Sequence, residues 1–450
     1  MLDISIVITG LPEIQQSLGL SNTALSWVQN AYTLSFGGLL LLGARAGDLI
    51  GRKKVFLAGL ALFGLSSLVI GLATGPTMLL AARVVQGMGA AVLAPTTLAL
   101  LSSHFAEGAE RTKALSYYAA TAGVGSSLGL VLGGVFAGLL SWRIGFLMNV
   151  PVAIALYVFA SKVLTESDKH DGKFDIPGTI TSVIGMTALV YGLFQSTKLG
   201  VMHPLTLTLF AVAAVSLSWF VRIEKRSAHP LLPLSLFSSR ERVGAYLGRM
   251  LFLGAMVSFF FFTTQFLQKV LGFSPVEAGL AFLPVTIPTF IGSTLVPRLS
   301  GKCGSNWLMM AAFLLLIIGM FGMALLDEHS AFWPDAIIPM LLLGLGNGMV
   351  IAPLTVAGVS GVAKDNAGAA SGAVNAAHQL GGTIGLSLMV MLFAAADNGA
   401  ASPEMVLSHK LSVGFEGCVI LLVLGMTITA MLNFFPSLAV NDYSVAKREA

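Results

Sequence analysis

The chain contains very few charged residues. Asp, Glu, Lys and Arg make up 10% of its 450 residues, whereas hydrophobic residues make up 56%. Soluble domains carry about 25% charged residues, so this chain lacks the polar surface that would cover a globule in water. The shortage of charge excludes a soluble domain and indicates a polytopic membrane protein.

Other features are missing as well. The two cysteines, Cys303 and Cys418, offer neither a disulfide framework nor a metal site. A GxxxxGK[ST] phosphate loop is lacking, which argues against an ATP-driven pump. We find no nucleophile–base pair, and the net charge of +4 comes from loops between apolar segments. The chain is therefore not predicted to be an enzyme, to hold a metal or cofactor, or to bind nucleic acid.

Long apolar segments fill most of the chain. They are rich in Leu, Ala, Gly and Phe without strict alternation, and many approach the roughly 20 residues that a helix needs to cross a bilayer. The pattern predicts fourteen membrane helices: 1–14, 26–46, 54–74, 77–103, 112–139, 143–163, 176–195, 204–222, 243–268, 277–297, 306–326, 335–358, 368–396 and 412–436.

The basic residues predict the orientation of these helices. Cytoplasmic loops carry an excess of Lys and Arg. When the segments cross the membrane one after another, 20 of the 25 basic residues, including Arg249, fall on one side of the membrane and four fall on the other. Arg83 is assigned to the interior of a segment. The larger set is predicted to be cytoplasmic, as is the C-terminus.

The first segment is short. Nine residues separate Asp3 from Glu13, and at about 1.5 Å per residue they cannot cross a core of about 30 Å. We therefore expect the complete first helix to include residues upstream of Met1.

Two loops indicate an internal repeat. Residues 45–51 read RAGDLIG and residues 298–304 read RLSGKCG, an offset of 253 positions. Such duplication is typical of secondary transporters, which bind substrate between two halves. We predict an all-α protein with an N-terminal six-helix bundle (1–163), two inserted helices with flanking loops (164–242), a C-terminal six-helix bundle (243–436) and a cytoplasmic tail (437–450).

Eight short motifs follow one another along the chain: LDISIVITGLP (2–12), GARAGDLIGRKK (43–54), RVVQGMGAA (83–91), GLVLGG (129–134), WRIGFLMNVP (142–151), FDIPG (174–178), FLQKVLGFSPVEAGLAFLP (266–284) and SGAVNAAHQLGGTIG (371–385). Together they make the chain resemble the fourteen-helix drug:proton antiporter branch of the major facilitator superfamily. Three positions depart from the pattern of that branch. Ala44 replaces a glycine, Leu49 a basic residue, and Leu130 the proline of a Gly-Pro pair.

The resemblance implies the major facilitator fold, alternating access and a bacterial inner-membrane location. It implies no cofactor beyond the proton motive force. The expected partners are a small-molecule substrate, protons and the lipid bilayer, and a monomer is expected.

Arg83 is the first candidate for proton coupling. A guanidinium inside a membrane segment costs a few kcal/mol, so it is expected to face the interior. Helical spacing places Gln86 near the same face. Asp3 is the second candidate, because a carboxylate in a cavity can exchange a proton as its surroundings change. The alternatives are a purely structural arginine and a terminal, solvated Asp3.

Asp48 is predicted to form a latch at the cytoplasmic end of the second helix, with Arg52 and Lys53. There the acid can meet basic side chains or a helix N-terminus across the contact between the halves. The alternative is a solvated turn.

Glycines and polar residues inside the segments complete the candidates. Glycines spaced by four residues predict bare stripes for close helix packing: Gly125, Gly129 and Gly133, then Gly381 and Gly385. Polar side chains that could line a substrate cavity are Gln29, Tyr32, Gln86, Asn149, Gln265, Asn347, Asn375 and His378. His378 can titrate near neutral pH, although a lone membrane histidine is more often a packing residue.

The predicted function is proton-coupled export of hydrophobic, amphipathic or cationic small molecules. Two alternatives in the same superfamily remain open at this point, a dedicated metabolite exporter and a proton-symport uptake permease. A sensor is disfavoured because the loops are too short for an output module.

Overall fold

The structure is a computed structural model that describes residues 2–20, 22–105, 108–136, 140–166, 175–227, 230–362, 366–396 and 403–434. Within these ranges it contains sixteen α-helices and no β-strand. The predicted tail, 437–450, lies outside the described residues.

The helices follow one another with short connections. Their bounds are α1 Leu2–Leu18, α2 Asn22–Ile50, α3 Arg52–Gly71, α4 Pro76–His104, α5 Ala109–Val135, α6 Trp142–Leu147, α7 Asn149–Val163, α8 Ile176–Leu199, α9 Pro204–Glu224, α10 Arg240–Gln265, α11 Pro275–Leu280, α12 Leu283–Cys303, α13 Ser305–Ala324, α14 Ile337–Gly358, α15 Ala367–Ala395 and α16 Pro403–Phe434.

Local sequence explains where several helices begin. The side chain of Asp175 accepts a hydrogen bond from Gly178 N at 2.9 Å, and Ser274 forms a capping box with Glu277. Such groups satisfy backbone donors that a first helical turn leaves unpaired. Proline opens α4, α9 and α11, because its fixed φ suits the first turn.

Twelve of the described helical segments are long and apolar enough to cross a membrane. The protein is therefore a multi-pass membrane protein. Helices α1, with 17 residues, and α5 are not among the twelve. The count of fourteen spans and the insertion of two central helices stay predictions. Two predicted segments are each built from two helices, α6 with α7 and α11 with α12.

The predicted repeat corresponds to a repetition of helix pairs. In the first bundle α2 and α3 pack on α4, α1 on α5, and α3 on α7. In the second, α12 and α13 pack on α14, α10 on α15, and α13 on α16. The turns before α3 and α13 use Gly51 and Gly304 with φ of 115° and 83°, a backbone region that favours glycine.

The bundles meet along two faces. Helix α5 packs against α11, α12 and α14, while α15 packs against α2 and α4. Helix α8 contacts α2, α15 and α9, so it touches both bundles. We call the end of the molecule where α2 passes into α3 the Asp48 end.

One assignment from the basic residues is wrong. Arg249 lies nine residues into α10 and is 3% exposed, whereas the sequence placed it among the loop residues on the cytoplasmic side. At about 1.5 Å per residue it lies about 13 Å from the start of the helix. Arg249 is thus buried well inside a helix, as Arg83 is, whereas the buried Arg45 and Arg52 lie near helix ends.

Candidate functional site

An ion pair lies inside the first bundle. Arg83 on α4 donates through Nη1 to Asp3 Oδ2 on α1 at 2.9 Å. Arg83 is fully buried and Asp3 is 6% exposed. Asp3 is the second residue of a 17-residue helix rather than part of a disordered terminus. The structure therefore brings together the two residues that the sequence predicts for proton coupling.

Amide side chains surround the carboxylate of Asp3. Gln86 donates through Nε2 to Asp3 Oδ1 at 3.0 Å, and Asn149 donates through Nδ2 to the same oxygen at 2.8 Å. Gln86 also accepts from Arg83 Nη1 at 2.6 Å and donates to Ser67 Oγ at 2.9 Å. Helices α1, α3, α4 and α7 thus contribute to one polar cluster, the Asp3–Arg83 network.

The guanidinium of Arg83 has further contacts. Its Nε donates to the carbonyl oxygen of Val28 at 2.9 Å. The Tyr32 ring centroid lies 4.5 Å from its Cζ and the Phe146 ring centroid 5.7 Å, so the cation also interacts with two aromatic faces. Its Nη2 has no hydrogen-bond partner among the described residues.

This arrangement makes the charge of Asp3 important for the packing of α1 on α4. A buried charge is tolerated only when it is paired and hydrogen-bonded. The ionised carboxylate accepts three hydrogen bonds and neutralises Arg83. The negative charge of Asp3 therefore holds α1 against α4 through Arg83.

The remaining cavity candidates do not join this network. Gln265 accepts from Lys269 at 3.3 Å at the end of α10, and Asn347 donates to Thr289 Oγ1 at 3.2 Å between α14 and α12. Asn375 donates to the Ser371 carbonyl within α15 at 2.9 Å. Gln29 is half-buried on α2, and its Oε1 has no partner among the described residues.

His378 lies in a different cluster, around Arg249. Nη2 of Arg249 is 3.2 Å from His378 Nδ1 on α15, and Nη1 donates to Thr355 Oγ1 on α14 at 2.7 Å. The sequence signal for Arg249 was its position inside the predicted segment 243–268, which the assignment of basic residues to loops obscured.

The predicted latch residue Asp48 is 1% exposed. Arg52 donates to Asp48 Oδ1 from Nη2 at 2.9 Å and from Nε at 3.2 Å. The carboxylate also lies against Gly368 in the first turn of α15. A carboxylate near a helix N-terminus is favoured by the helix dipole. Asp48 thus connects the end of α2 to the second bundle.

Lys53, also assigned to the latch, is directed elsewhere. Its Nζ donates to the Ser161 carbonyl at 2.8 Å, and its backbone N–H donates to Glu166 Oε1 at 3.0 Å. Glu166 also accepts from Lys54 N at 3.3 Å. Lys53 therefore links the start of α3 to the end of α7. Its side chain is not directed to Asp48, because it points to the other side of the turn between α2 and α3.

The glycine stripes lie at helix contacts. A Cβ on Gly381 would overlap the backbone of Met250, and a Cβ on Gly385 would overlap the backbone of Gly254. These positions bring α15 against α10. In α5, Gly129 and Gly133 are buried and Gly125 is half-buried, and this helix packs against helices of both bundles.

A third charged cluster was not predicted from the sequence. Glu224, at the end of α9 and 4% exposed, accepts from Leu231 N at 3.3 Å and Leu232 N at 3.1 Å. It lies within electrostatic range of Asp175 and Arg45. Nothing in the spacing of these residues predicts their association, because they come from three separate helix ends.

Comparison with known proteins agrees with this architecture. A family model described as the Major Facilitator Superfamily matches residues 1–386. The chain is 37% identical over 442 residues to the cephamycin export protein CmcT of Amycolatopsis lactamdurans, covering 97% of this chain and 90% of that protein. It is 38% identical over 398 residues to the puromycin resistance protein pur8 of Streptomyces alboniger, covering 86% and 78%.

A solved structure shows the same fold at low sequence identity. The human organic anion transporter MFSD10 (TETRAN) superposes with a TM-score of 0.64 at 16% identity, covering 93% of this chain and 88% of that one. The sequence relatives, in turn, are named for antibiotic export and resistance. The chain therefore belongs to the Major Facilitator Superfamily, in the company of antibiotic export and resistance proteins.

Proposed function

We propose that the protein exports small amphipathic molecules in exchange for protons, by alternating access between its two bundles. The observation that carries this proposal is the Asp3–Arg83 network. It holds a carboxylate, a guanidinium and two amides inside a membrane protein. Polar and ionisable groups inside a membrane are expensive and are typical of proton and substrate pathways.

The proposed cycle uses the ionised and protonated forms of Asp3. In the ionised form, Asp3 neutralises Arg83 and joins α1 to α4. A proton that reaches Asp3 from outside weakens this ion pair and frees the guanidinium to reorganise. Differential stabilisation of two conformations is the requirement for such coupling. Release of the proton on the inner side then restores the pair.

The names of the sequence relatives support export as the direction. CmcT is named for cephamycin export and pur8 for puromycin resistance. The apolar composition of the helices suits non-directional binding of hydrophobic groups. By the distribution of basic residues, the Asp48 end is cytoplasmic. The bacterial origin of the sequence relatives supports the inner membrane as the location. Uptake by proton symport is the competing direction.

Proton flux in inside-out vesicles tests the proposal. The lumen is acidified by respiration and followed with a pH-sensitive dye while puromycin or ethidium is added. Exchange of lumenal protons for entering compound predicts that the lumen becomes more alkaline. Asp3→Asn and Arg83→Lys are expected to reduce this response by about tenfold or more, in keeping with losses of one or two charge-assisted hydrogen bonds.

Two control variants distinguish a loss of proton coupling from a loss of expressed protein. Glu241→Gln and Lys225→Gln change one charge each at exposed helix ends and are expected to keep the response. Proton entry into acid-outside vesicles together with compound uptake would support symport instead. A folded, inserted protein that gives no proton response with any compound of a broad panel would contradict proton-coupled export.

A further inference from the structure

The second bundle holds a buried cation without an acidic partner. Arg249 is 3% exposed, and its described hydrogen-bond partners are two neutral side chains, Thr355 and His378. Among the described residues, no carboxylate forms an ion pair with Arg249. Arg83, in contrast, is paired with Asp3. A buried, uncompensated guanidinium is energetically unfavourable, so the Arg249 cluster has an unmet requirement for negative charge.

The hydrogen-bond directions leave this cluster with donors only. Arginine has five N–H donors and no acceptor, so His378 Nδ1 must accept and its proton must lie on Nε2. The Thr355 hydroxyl donates to the Ile351 carbonyl at 2.7 Å and therefore accepts from Arg249. Nε of Arg249 is buried and has no partner among the described residues. Within the described residues, the groups that remain available are Arg249 Nε–H, the second N–H of Arg249 Nη1 and Nη2, and His378 Nε2–H, and all of them are donors.

The position of the Arg249 cluster relative to the two bundles is given by its neighbours. His378, on α15, is half-buried. Tyr118, half-buried on α5, is close enough to Arg249 to interact with it electrostatically. Because α5 belongs to the first bundle and α10 to the second, the Arg249 cluster faces the boundary between the bundles, where transporters of this architecture bind substrate.

We propose that Arg249, with His378 and Thr355, forms a subsite that binds the carboxylate of an amphipathic organic anion or zwitterion. An edge of a guanidinium presents two parallel N–H groups that match the two carboxylate oxygens. His378 contributes a further donor, and Thr355 holds the guanidinium in place. This inference rests on the proposed export function and specifies its substrate class, because an aliphatic or aromatic body would remain for the apolar surroundings.

Two fluorescent probes that differ by one charge test the subsite. Dansylglycine carries a carboxylate, whereas dansylglycinamide has the same body and a neutral end. Each is titrated against the full chain in nanodiscs without a proton gradient, with empty nanodiscs subtracted for lipid partition. The wild type is expected to bind the acid at least tenfold more tightly than the amide.

Variants assign this preference to the cluster. Arg249→Gln is expected to reduce the ratio of the two affinities to near one while amide binding stays unchanged. Arg249→Lys, which keeps the charge but loses the planar edge, should give an intermediate ratio. Arg242→Gln is the matched control on α10, because each of the three guanidinium nitrogens of Arg242 already donates to a backbone carbonyl, of Ser235, Leu236 or Ser360. The tenfold ratio should persist in this variant.

His378→Phe is a second variant that tests the subsite if Arg249→Gln does not fold. It should lower the ratio of acid to amide affinity several-fold. Equal affinity for acid and amide in the folded wild type, including no binding of either, overturns the subsite. So does a tenfold preference that survives both Arg249→Gln and His378→Phe. These titrations use no proton gradient, so the absence of an acid preference would not contradict proton-coupled export. Likewise, the absence of a proton response in the flux assay would not prevent measurement of an acid preference.

Discussion

The carboxylate of Asp48 occupies the space that a side chain on Gly368 would need. A Cβ at Gly368 would overlap both carboxylate oxygens of Asp48, which come from the opposite bundle. The absence of a side chain on Gly368 therefore allows the Asp48 carboxylate to lie against the first turn of α15. This contact joins the two bundles at the Asp48 end, next to the buried pair of Asp48 with Arg52.

Gly368→Ala is expected to open the Asp48 end. The new methyl group displaces the Asp48 carboxylate from the first turn of α15, so the equilibrium shifts toward the conformation in which the two bundles separate there. A loss of about 1–2 kcal/mol, the upper part of the range for a partly buried charge at a helix terminus, changes the population ratio about fivefold to thirtyfold. Spin-label distances between the ends of α2 and α15 measure the shift.

The control is Gly301→Ala. Its Cβ would meet no atom within 4 Å, so the distances should be unchanged. Unaltered distances in both variants would show that Asp48 does not hold this end closed.

Asp48→Asn should act in the same direction without any steric clash. The substitution removes the negative charge that pairs with the buried guanidinium of Arg52. In a Cys303→Ser background, which removes an exposed native thiol, we expect increased labelling of a cysteine introduced at Ala44, which packs against Gly372, by a membrane-impermeant thiol reagent added from the Asp48 side. Equal labelling rates with and without the Asp48 charge would argue for a purely local role.

Arg83→Met is expected to destabilise the protein more than the double variant Asp3→Asn/Arg83→Met. Removing one partner of a buried ion pair leaves an uncompensated charge, which costs about 3–5 kcal/mol, whereas the double variant leaves neutral groups. Thermal unfolding in detergent, compared among the single and double variants, gives the interaction free energy between the two side chains.

The surface pair of exposed His329 and half-buried Glu328, 3.7 Å apart, provides the control, because ion pairs near the surface contribute little. Glu328→Gln should leave the unfolding temperature unchanged. Simple additivity of the Asp3 and Arg83 substitutions would contradict a direct interaction between the two side chains.

Gly385→Ala should weaken the packing of α15 on α10. The added Cβ would overlap the backbone of Gly254, and backbone cannot yield as a side-chain end does. Overpacking of this kind costs about 1–3 kcal/mol, so the unfolding temperature should fall by several degrees, and Gly385→Leu should not fold. Gly301→Ala again serves as the control. A wild-type unfolding temperature for Gly385→Ala would show that the two helices separate freely at this point.

Glu224→Ala is expected to loosen the chain after α9. It leaves the backbone N–H groups of Leu231 and Leu232 without the carboxylate that accepts from them, and each unsatisfied buried donor costs about 1–3 kcal/mol. Glu224→Gln retains an acceptor oxygen and should have a smaller effect. Limited proteolysis of the 225–239 connection measures both, and equal cleavage of the two variants and the wild type would contradict this role.

Several features of the site could be predicted from single residues. A guanidinium inside an apolar segment has few tolerable environments. The positions of Arg83 and the neighbouring Gln86 therefore predicted which face of their helix points to the protein interior. Asp3 carried the same signal near the chain start. In contrast, Arg249 carried an equally strong signal that the assignment of basic residues to loops concealed. A basic residue near an apolar segment can therefore be predicted as buried only when its position along the helix is considered.

The partners of these residues could not be predicted. Asn149 and Ser67 reach the Asp3–Arg83 network from α7 and α3, and nothing in their local sequence distinguishes them from other polar residues. Lys53 and Asp48 are five residues apart yet point to different neighbours. Side-chain direction at a turn depends on how the flanking helices pack, which short-range sequence does not specify.

The sequence by itself determined the membrane character, the helical class, the repeat and the candidate buried charges, because these follow from hydropathy and from the cost of charge in hydrocarbon. Only the tertiary structure decided which charges are compensated. Arg83 meets Asp3, whereas Arg249 meets neutral Thr355 and His378. The physical reason is that compensation depends on distances of about 3 Å between side chains on different helices, and those distances are set by the packing of the bundles.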